Sequence, residues 1–531
     1  MVQSDSVNLN WVVLGLTGAI FFLYFRSGRR SLSYLRGPSR DSRLYGRELD
    51  LLYEQDVGDL EFKWVEEYGT AFPVPGCYGQ DTLMICDPRA LQYVLQTSEY
   101  KYPRPADLKF LLKGFLGSGI IFSEDSTHQR QRKILNPAFS GEHLRQFLTD
   151  FQAHTNKLVK HIDDEVTNGK ETVDMAKLLP KLTLDIIGDT GFRYRFGALE
   201  DETTELSYKF LHLFDDSKRI TEYQLLSNAL RRYLPPFISE MTRLAPTKEE
   251  LRFADFHRAS SKLAEAIINQ KGRDLVDPAR GTDILDILPS TTGWLLYELC
   301  KHPEDQQRIV NEIQEIRRTK NRGAELHMSD YASAPYLNAV VKEALRFHPI
   351  IPGLWRTASE DDVIPLQFPV ISRTGETVTR IPIKKGQRID TYFAAYNRLP
   401  QVWGEDANQW NPSRFLKIDS REQIAVGPYF NLCTFSKIDF EFPSERVLIE
   451  NPQALDLNRA LDSDLAPPSP SVTEIRAIVV GLLEAFEFSL PEGGLELQKL
   501  PGGGILHPMV RGKLHEGPSL PLVVRPRMAA A

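Results

Sequence analysis

The sequence predicts a mainly α-helical fold with a small β portion, organised around one helix. The segment Tyr336–Pro349 carries apolar residues at i, i+3, i+4, i+7 and i+8, which is typical of one face of an α-helix. Pro349 should end this helix, because the residue before a proline is pushed out of the helical region. Residues 141–280 are expected to be predominantly helical, with clear runs at Leu178–Ile187 and Ala254–Asn269.

Two short segments supply the β portion. Ala71–Val74 and Thr82–Cys86 are expected to form the strands of a small hairpin sheet, with a short amphipathic helix before them at Glu61–Tyr68. Asp87 and Pro88 should begin another helix, since proline is favoured in the first turn.

Composition sets limits on the kind of protein this is. The chain has 531 residues, of which 42% are hydrophobic, and this allows a sizeable core. Its formal charge of −7 gives no electrostatic reason to expect a nucleic-acid partner. The spacing of the four cysteines matches neither a disulfide framework nor a zinc site, and their small number fits a reducing compartment. They are Cys77, Cys86, Cys300 and Cys433.

Residues 1–30 are predicted to be an N-terminal membrane anchor. Leu9–Phe25 is uncharged and nearly all apolar, at the lower end of the length that spans a bilayer. Only Asp5 is charged before it, whereas three arginines follow it. This order favours a retained transmembrane helix, with the arginines on the cytosolic side, over a cleaved signal peptide. A buried core helix is the alternative, and residues 31–531 are predicted to form the globular domain.

Glu343 and Arg346 lie three residues apart and are therefore neighbours on the predicted helix. From the spacing alone they would be a solvated ion pair worth a few tenths of a kcal/mol. The segments that follow this helix in order argue against that interpretation. They are Trp355–Ala358, Ile381–Gly386, Asn397–Pro400, Trp403–Ala407 and Asn411–Phe415.

This series of segments resembles the C-terminal half of a cytochrome P450, and closely that of a fungal membrane-bound one. The resemblance implies a P450 fold and a haem cofactor. It also implies a buried ion triad of Glu343, Arg346 and Arg414 that holds the haem-side core. Charges removed from water are tolerated only when they are mutually paired and hydrogen-bonded, so loss of any one should cost about 3–5 kcal/mol.

The same resemblance assigns haem-propionate ligands. His128 and Arg132 lie four residues apart near the start of a basic helix at Ser126–Phe139, and Arg356 matches a further family arginine that reaches a propionate. A guanidinium suits this task because it pairs with a carboxylate through two hydrogen bonds. A solvated basic face is the alternative for His128 and Arg132.

The chain departs from the family pattern at two places. The family's distal helix carries an acidic residue followed by threonine, but here residues 287–290 hold no such pair, and Pro289 is expected to disrupt any helix there. Residues 437–471 replace the Gly-x-Arg-x-Cys-x-Gly loop whose cysteine thiolate binds haem iron, and they contain neither glycine nor cysteine. Cys433 precedes that loop and is interpreted as a buried core cysteine. No catalytic residue and no protein ligand to a metal is therefore assigned.

The resemblance implies a haem-dependent monooxygenase that receives electrons from NADPH–cytochrome P450 reductase. It would hydroxylate or epoxidise a lipophilic small molecule, such as a terpenoid-type secondary metabolite, at the endoplasmic reticulum membrane with its globular domain in the cytosol. The alternative is a non-catalytic P450-like membrane protein that cannot hold a haem thiolate, or an anchored lipophile-binding module. Both departures have intact flanks, which suggests altered splicing or gene prediction.

Overall fold

A computed structural model provides the coordinates of the chain. It describes residues 32–117, 119, 122–123, 125–135, 141–201, 205–211, 221–232, 234, 239–240, 242–244, 246–271, 287–320, 324–417, 426–427, 432–433, 470–502 and 505–527. The predicted anchor and all but the last two residues of the atypical segment 437–471 lie outside this set. Among the residues described, no helix combines the length and the apolar character needed to cross a lipid bilayer.

Helices account for most of the regular structure, so the mainly α prediction is confirmed. The helices are α1 (Glu48–Tyr53), α2 (Asp59–Tyr68), α3 (Pro88–Gln92), α4 (Ala106–Leu116), α5 (Asp125–Leu135), α6 (Gly141–Thr167), α7 (Met175–Ile187), α8 (Glu205–Leu211), α9 (Glu222–Arg231), α10 (Lys248–Lys271), α11 (Ile287–Lys301), α12 (Pro303–Arg318), α13 (Met328–Ala332), α14 (Pro335–Phe347), α15 (Phe393–Tyr396), α16 (Pro400–Trp403) and α17 (Pro470–Ala485).

In the part of the chain that the structure describes, the strands are short and form four small sheets. They are β1 (Ala71–Pro75), β2 (Asp81–Ile85), β3 (Thr172–Asp174), β4 (Gly353–Thr357), β5 (Asp362–Ile371), β6 (Thr377–Ile383), β7 (Arg388–Tyr392), β8 (Phe486–Ser489), β9 (Leu497–Gly502), β10 (Ile505–Val510) and β11 (Pro521–Pro526). The sheet orders are β1-β2-β7-β4, β5-β6, β3-β11-β8 and β9-β10.

The described residues divide into two compact units. The first unit draws on the ranges 1–110, 219–244 and 353–396. It contains the predicted hairpin, in which β1 pairs antiparallel with β2. Strand β2 then runs parallel to β7, which pairs antiparallel with β4.

Helix α3 begins as the sequence predicts. The Asp87 carboxylate accepts hydrogen bonds from the backbone N–H groups of Arg89 and Ala90, and Pro88 occupies the first helical turn. The same carboxylate also accepts from the N–H groups of Gln367 and Phe368 at 2.8–3.0 Å. A single buried aspartate therefore caps the helix and joins it to β5.

A buried charge network holds the first unit together. Arg232 donates to Glu48 at 2.8 Å and to Asp107 at 2.9 Å, and Arg388 donates to both oxygens of Asp107 at 3.0 Å. Two guanidinium groups thus alternate with two carboxylates, so the network carries no net charge. Such mutual pairing is the condition under which buried charges are tolerated.

The second unit draws on the ranges 111–218, 245–352 and 397–531. Its core is a packed set of helices in which α17 lies along α6, while α11 contacts α7, α14 and α17. Leu299, Ile309, Leu337 and Ile475 are among the side chains with no exposed surface in this core. Helix α14 contacts α11, α12, α13 and α17, and also the short 3-10 helix Pro412–Leu416.

The prediction that Pro289 disrupts helix formation was wrong. Helix α11 is described from Ile287 to Lys301 and contains Pro289 near the beginning of this range. The N–H group that proline lacks would have donated four residues back, to position 285, so no hydrogen bond within the described part of the helix is lost. Residues 272–286 are outside the described part of the chain, so α11 is known only from Ile287 onward.

Candidate functional site

Helix α14 places two charged side chains in the interior of the second unit. Leu337, Val341 and Leu345 of its apolar stripe are fully buried, but Glu343 and Arg346 are fully buried as well. The periodicity predicted only one buried face. Because α14 is packed on all sides, the charged face is buried against other parts of the unit.

Glu343, Arg346 and Arg414 meet in this interior. Arg346 donates from Nε and Nη2 to the two oxygens of Glu343, each at 2.8 Å. Arg414 Nε lies 3.3 Å from the same carboxylate. Asp406 accepts from Arg414 Nη1 at 2.9 Å, so two carboxylates balance two guanidinium groups.

Asp406 is a member of this cluster that sequence reasoning missed. It lies within the segment Trp403–Ala407, which was quoted only for its resemblance to the family. Burial opposes ionisation of this residue, but hydrogen bonds from Asn411 and Arg414 lower the pKa of its carboxyl group. Asp406 is therefore held as an anion beside Arg414.

The remaining donors of the triad are satisfied by backbone carbonyls. Arg346 Nη1 donates to the carbonyls of Asn397 and Ala407 at 2.6 and 2.7 Å, and Arg414 Nη1 donates to that of Trp403 at 2.7 Å. The triad thus joins α14 to the segment 397–414, which includes α16. Glu343 and Arg346 have no exposed surface and Arg414 keeps 6% of its own, so the geometry is that of a structural contact.

The three predicted propionate ligands lie on two elements. His128 is half-buried on α5, and Arg132 lies one turn further along the same helix, although its side chain is not described. Arg356 is buried on β4, where Nη1 donates to the Trp355 carbonyl at 3.1 Å. Helix α5 belongs to the second unit and β4 to the first. A shared role in haem binding stays a prediction.

A buried histidine–glutamate pair was not foreseen. His348 ends α14, and its Nε2 donates to Glu298 of α11 at 2.8 Å while its ring stacks on Trp294 with centroids 4.6 Å apart. Burial lowers the pKa of His348 to about 3, with a further contribution from the Lys499 ammonium. Against the effect of burial, hydrogen bonds from His348 and Lys301 lower the pKa of Glu298 to about 2. Nothing in the local periodicity marks His348 for this role.

The pair predicts a loss of stability in acid. The pKa of His348 is about 3 in the folded chain, whereas the ordinary value is 6.5. As pH falls below about 6.5, the imidazole of the unfolded chain therefore binds a proton that the folded chain does not bind, and this favours unfolding. His348→Gln keeps an N–H donor for Glu298 but removes this titration. The free energy of unfolding should then fall less steeply between pH 6 and 4, by up to about 1.4 kcal/mol per pH unit. Urea unfolding of the parent chain and the variant at several pH values in this range measures the slope.

His515→Gln is the control for this prediction, because His515 is an exposed histidine whose side chain keeps 71% of its accessible surface. An unchanged slope in His348→Gln, or an equal change in both variants, would contradict the assignment. The Glu298 carboxylate contributes to stability in a different pH range. Its contribution to the free energy of unfolding is fully present above about pH 4.5 and is lost as pH falls towards 2.

The thiols do not fit a thiolate-bound haem. Ligation requires a cysteine that gives up its proton to iron. Cys77 and Cys86 are buried in the first unit, donate to backbone carbonyls at 3.6 Å, and have pKa values that burial raises well above the usual range. Burial also raises the pKa of Cys300 to about 12. Cys433 is fully buried, and the family's ligand loop does not follow it in the sequence.

Helix α11, which the resemblance matches to the family's distal helix, carries no acid–threonine pair among its described residues. Leu288 and Thr292 are buried at 1% and 0% exposure, and the hydroxyl of Thr292 has no hydrogen-bond partner in the described structure. A threonine is thus present without an acidic residue before it. Within the described residues, no cluster of histidine, cysteine, aspartate or glutamate is suited to bind a metal ion.

Comparison with known proteins gives the family. The family model "Cytochrome P450" matches residues 54–291 and 288–437. The two matches meet at 288–291 and the second ends at 437, which are the places where the sequence departs from the family pattern.

Relatives of similar length are found in fungi. Cytochrome P450 monooxygenase 205 of Postia placenta is 27% identical over 543 residues, which cover 93% of each chain. Cytochrome P450 monooxygenase claQ of Ampulloclitocybe clavipes is 27% identical over 554 residues, covering 96% of this chain and 98% of the relative. Cytochrome P450 monooxygenase 91 of Postia placenta is 28% identical over 450 residues, covering 76% of this chain and 82% of the relative. Since the family model matches well over half of the sequence, this chain belongs to the cytochrome P450 family, whose members are haem-dependent oxidoreductases.

Proposed function

We propose that the gene for this chain encodes a P450 monooxygenase that oxidises a lipophilic small molecule. The observation that supports it most is the family match over residues 54–437, together with the buried cluster of Glu343, Arg346 and Arg414. The fungal relatives are named cytochrome P450 monooxygenases, and this chain matches them over nearly their full length. Haem, when bound, supplies the oxygen-activating chemistry, and the protein positions the substrate.

The finer parts of the proposal concern partners and location. NADPH–cytochrome P450 reductase would supply electrons, and Leu9–Phe25 would anchor the chain in the endoplasmic reticulum membrane with its globular part in the cytosol. A terpenoid-type secondary metabolite is the proposed substrate class. His128, Arg132 and Arg356 would pair with the haem propionates.

The second candidate is a non-catalytic P450-like membrane protein. It is favoured by one specific observation: no cysteine follows Cys433, so the sequence lacks the thiolate that the chemistry requires. The two candidates therefore differ in whether the messenger RNA encodes the segments missing near residues 288–291 and after residue 437.

Sequencing the transcript across both places separates the two candidates. We expect a read that restores an acid–threonine pair and a Gly-x-Arg-x-Cys-x-Gly loop, and a read that matches this chain throughout would favour the non-catalytic protein. In parallel, both versions are expressed, reduced and exposed to carbon monoxide. The restored chain should show the Soret shift of a thiolate-bound haem, whereas the present chain should not. If the present chain does show it, Cys433→Ser identifies whether that thiol is the ligand.

A further inference from the structure

The hairpin of β9 and β10 forms a sheet of its own in the second unit. Among the described strands, these two pair only with each other, from Leu497 opposite Val510 to Gly502 opposite Ile505. A two-stranded hairpin is marginally stable at best in water when it stands alone. The hairpin therefore depends on contacts with the rest of the unit for its order.

Three of these contacts come from one side of α11. The side chains that make them are spaced i, i+4 and i+7 on the helix, and they are Ser290, Trp294 and Tyr297. The Ser290 hydroxyl lies 3.1 Å from Nδ1 of His507. Trp294 Nε1 donates to the Leu506 carbonyl at 3.3 Å, and the Tyr297 hydroxyl donates to the Leu495 carbonyl at 3.1 Å. Together they fasten the hairpin along more than one turn of the helix.

Two backbone hydrogen bonds complete this attachment. The N–H of Leu506 donates to the Ile350 carbonyl at 2.9 Å, and the N–H of Ser519 donates to the Pro508 carbonyl at 3.0 Å. On the hairpin itself, Leu506 and Met509 are buried at 4% and 3% exposure. The structure thus shows the hairpin closed on α11.

Glycines in the left-handed region flank the hairpin on both sides. Gly494 and Gly512 each have a φ of +82°. A Cβ atom at either position would meet no atom within 4 Å, so the backbone conformation and not close packing requires glycine there. Both lie just outside the hydrogen bond from the Arg511 N–H to the Glu496 carbonyl, which closes the base of the hairpin at 2.9 Å. Such positions at the ends of an element can absorb the backbone rotation of a hinge.

We propose that the β9–β10 hairpin is a strap that opens from α11 as one unit by turning at Gly494 and Gly512. Opening breaks the attachments to α11 and to the two backbone partners, while the hydrogen bonds between the strands stay intact. Local openings of this kind need less free energy than unfolding of the whole chain. The open state uncovers the side of α11 that carries Ser290 and Trp294, which are 5% and 2% exposed when the strap is closed. That this opening admits a lipophilic substrate to α11 rests on the proposed monooxygenase function.

Hydrogen exchange of the full chain, followed by mass spectrometry, tests the strap. In the parent chain, peptides from β9 and β10 should exchange together and about tenfold or more faster than peptides from α14. Trp294→Phe keeps an aromatic ring beside His348 but removes the donor to the Leu506 carbonyl. It should speed exchange of the whole hairpin by about tenfold, the effect of leaving one buried acceptor unsatisfied, and should not change α14. Tyr297→Phe removes only a hydroxyl and should speed exchange of the same peptides.

Trp410→Phe is the matched control, because it removes an indole N–H that donates to Asp305 at 2.8 Å elsewhere in the same unit. It should leave exchange of the hairpin unchanged. Three results would overturn the proposal: exchange of the parent hairpin at the rate of α14, acceleration in Trp294→Phe that is confined to peptides around Leu506, or equal acceleration in the control. The measurement on the parent chain needs no variant, so a folding defect in one variant does not obscure it. The carbon monoxide spectrum tests the monooxygenase function separately, so either proposal can fail without the other.

Discussion

Replacing Glu343 with glutamine should lower the free energy of unfolding by about 3–5 kcal/mol. The substitution keeps the side-chain volume but removes the carboxylate that pairs Arg346 at 2.8 Å and Arg414 at 3.3 Å. Both guanidinium groups then stay buried with only Asp406 as a negative partner. The cost arises because the charges cannot return to water without breaking the packing around α14.

Glu315→Gln is the matched control for this prediction. Glu315 and Arg318 have the same i,i+3 spacing on a helix and lie 3.0 Å apart, but their side chains are 71% and 73% exposed. The expected cost is below about 1 kcal/mol, since water screens an exposed pair. Urea unfolding followed by circular dichroism measures both variants. Equal costs would show that burial of the triad adds nothing to its energy.

Elements whose signals are local were predictable from the sequence. The end of α14 before Pro349, the capped start of α3 at Asp87, and the hairpin of β1 and β2 all depend on neighbouring residues. In each case the physical cause acts within a few positions of the chain.

Features that depend on distant parts of the chain could not be derived in this way. Spacing placed Glu343 beside Arg346, but it predicted a solvated pair, and only the family resemblance brought in Arg414. Asp406 and the contact of His348 with Glu298 were missed, because burial of a polar group depends on what packs over it. The wrong prediction for Pro289 has a different cause. Its effect depends on where α11 begins, which periodicity does not define.

Replacing Asp107 with asparagine should lower the free energy of unfolding by about 3–5 kcal/mol. Asp107 is the central anion of the network in the first unit, where it accepts from Arg232 at 2.9 Å and from Arg388 at 3.0 Å. Burial opposes its ionisation, but the two guanidinium groups lower the pKa of its carboxyl group. Its stabilisation is therefore present above about pH 4 and is lost as pH falls below that value.

The control for Asp107→Asn is Asp361→Asn in the same unit. Asp361 pairs with Lys384 at 2.6 Å, but the two side chains are 57% and 71% exposed, so the expected cost is below about 1 kcal/mol. Urea unfolding, with hydrogen exchange of the β7 amides, measures both. With Asp107 removed, Arg388 keeps no carboxylate at hydrogen-bond distance in the described network, whereas Arg232 keeps Glu48. Loss of protection should therefore be greatest at β7, where Arg388 lies, and uniform loss across the unit would contradict this account.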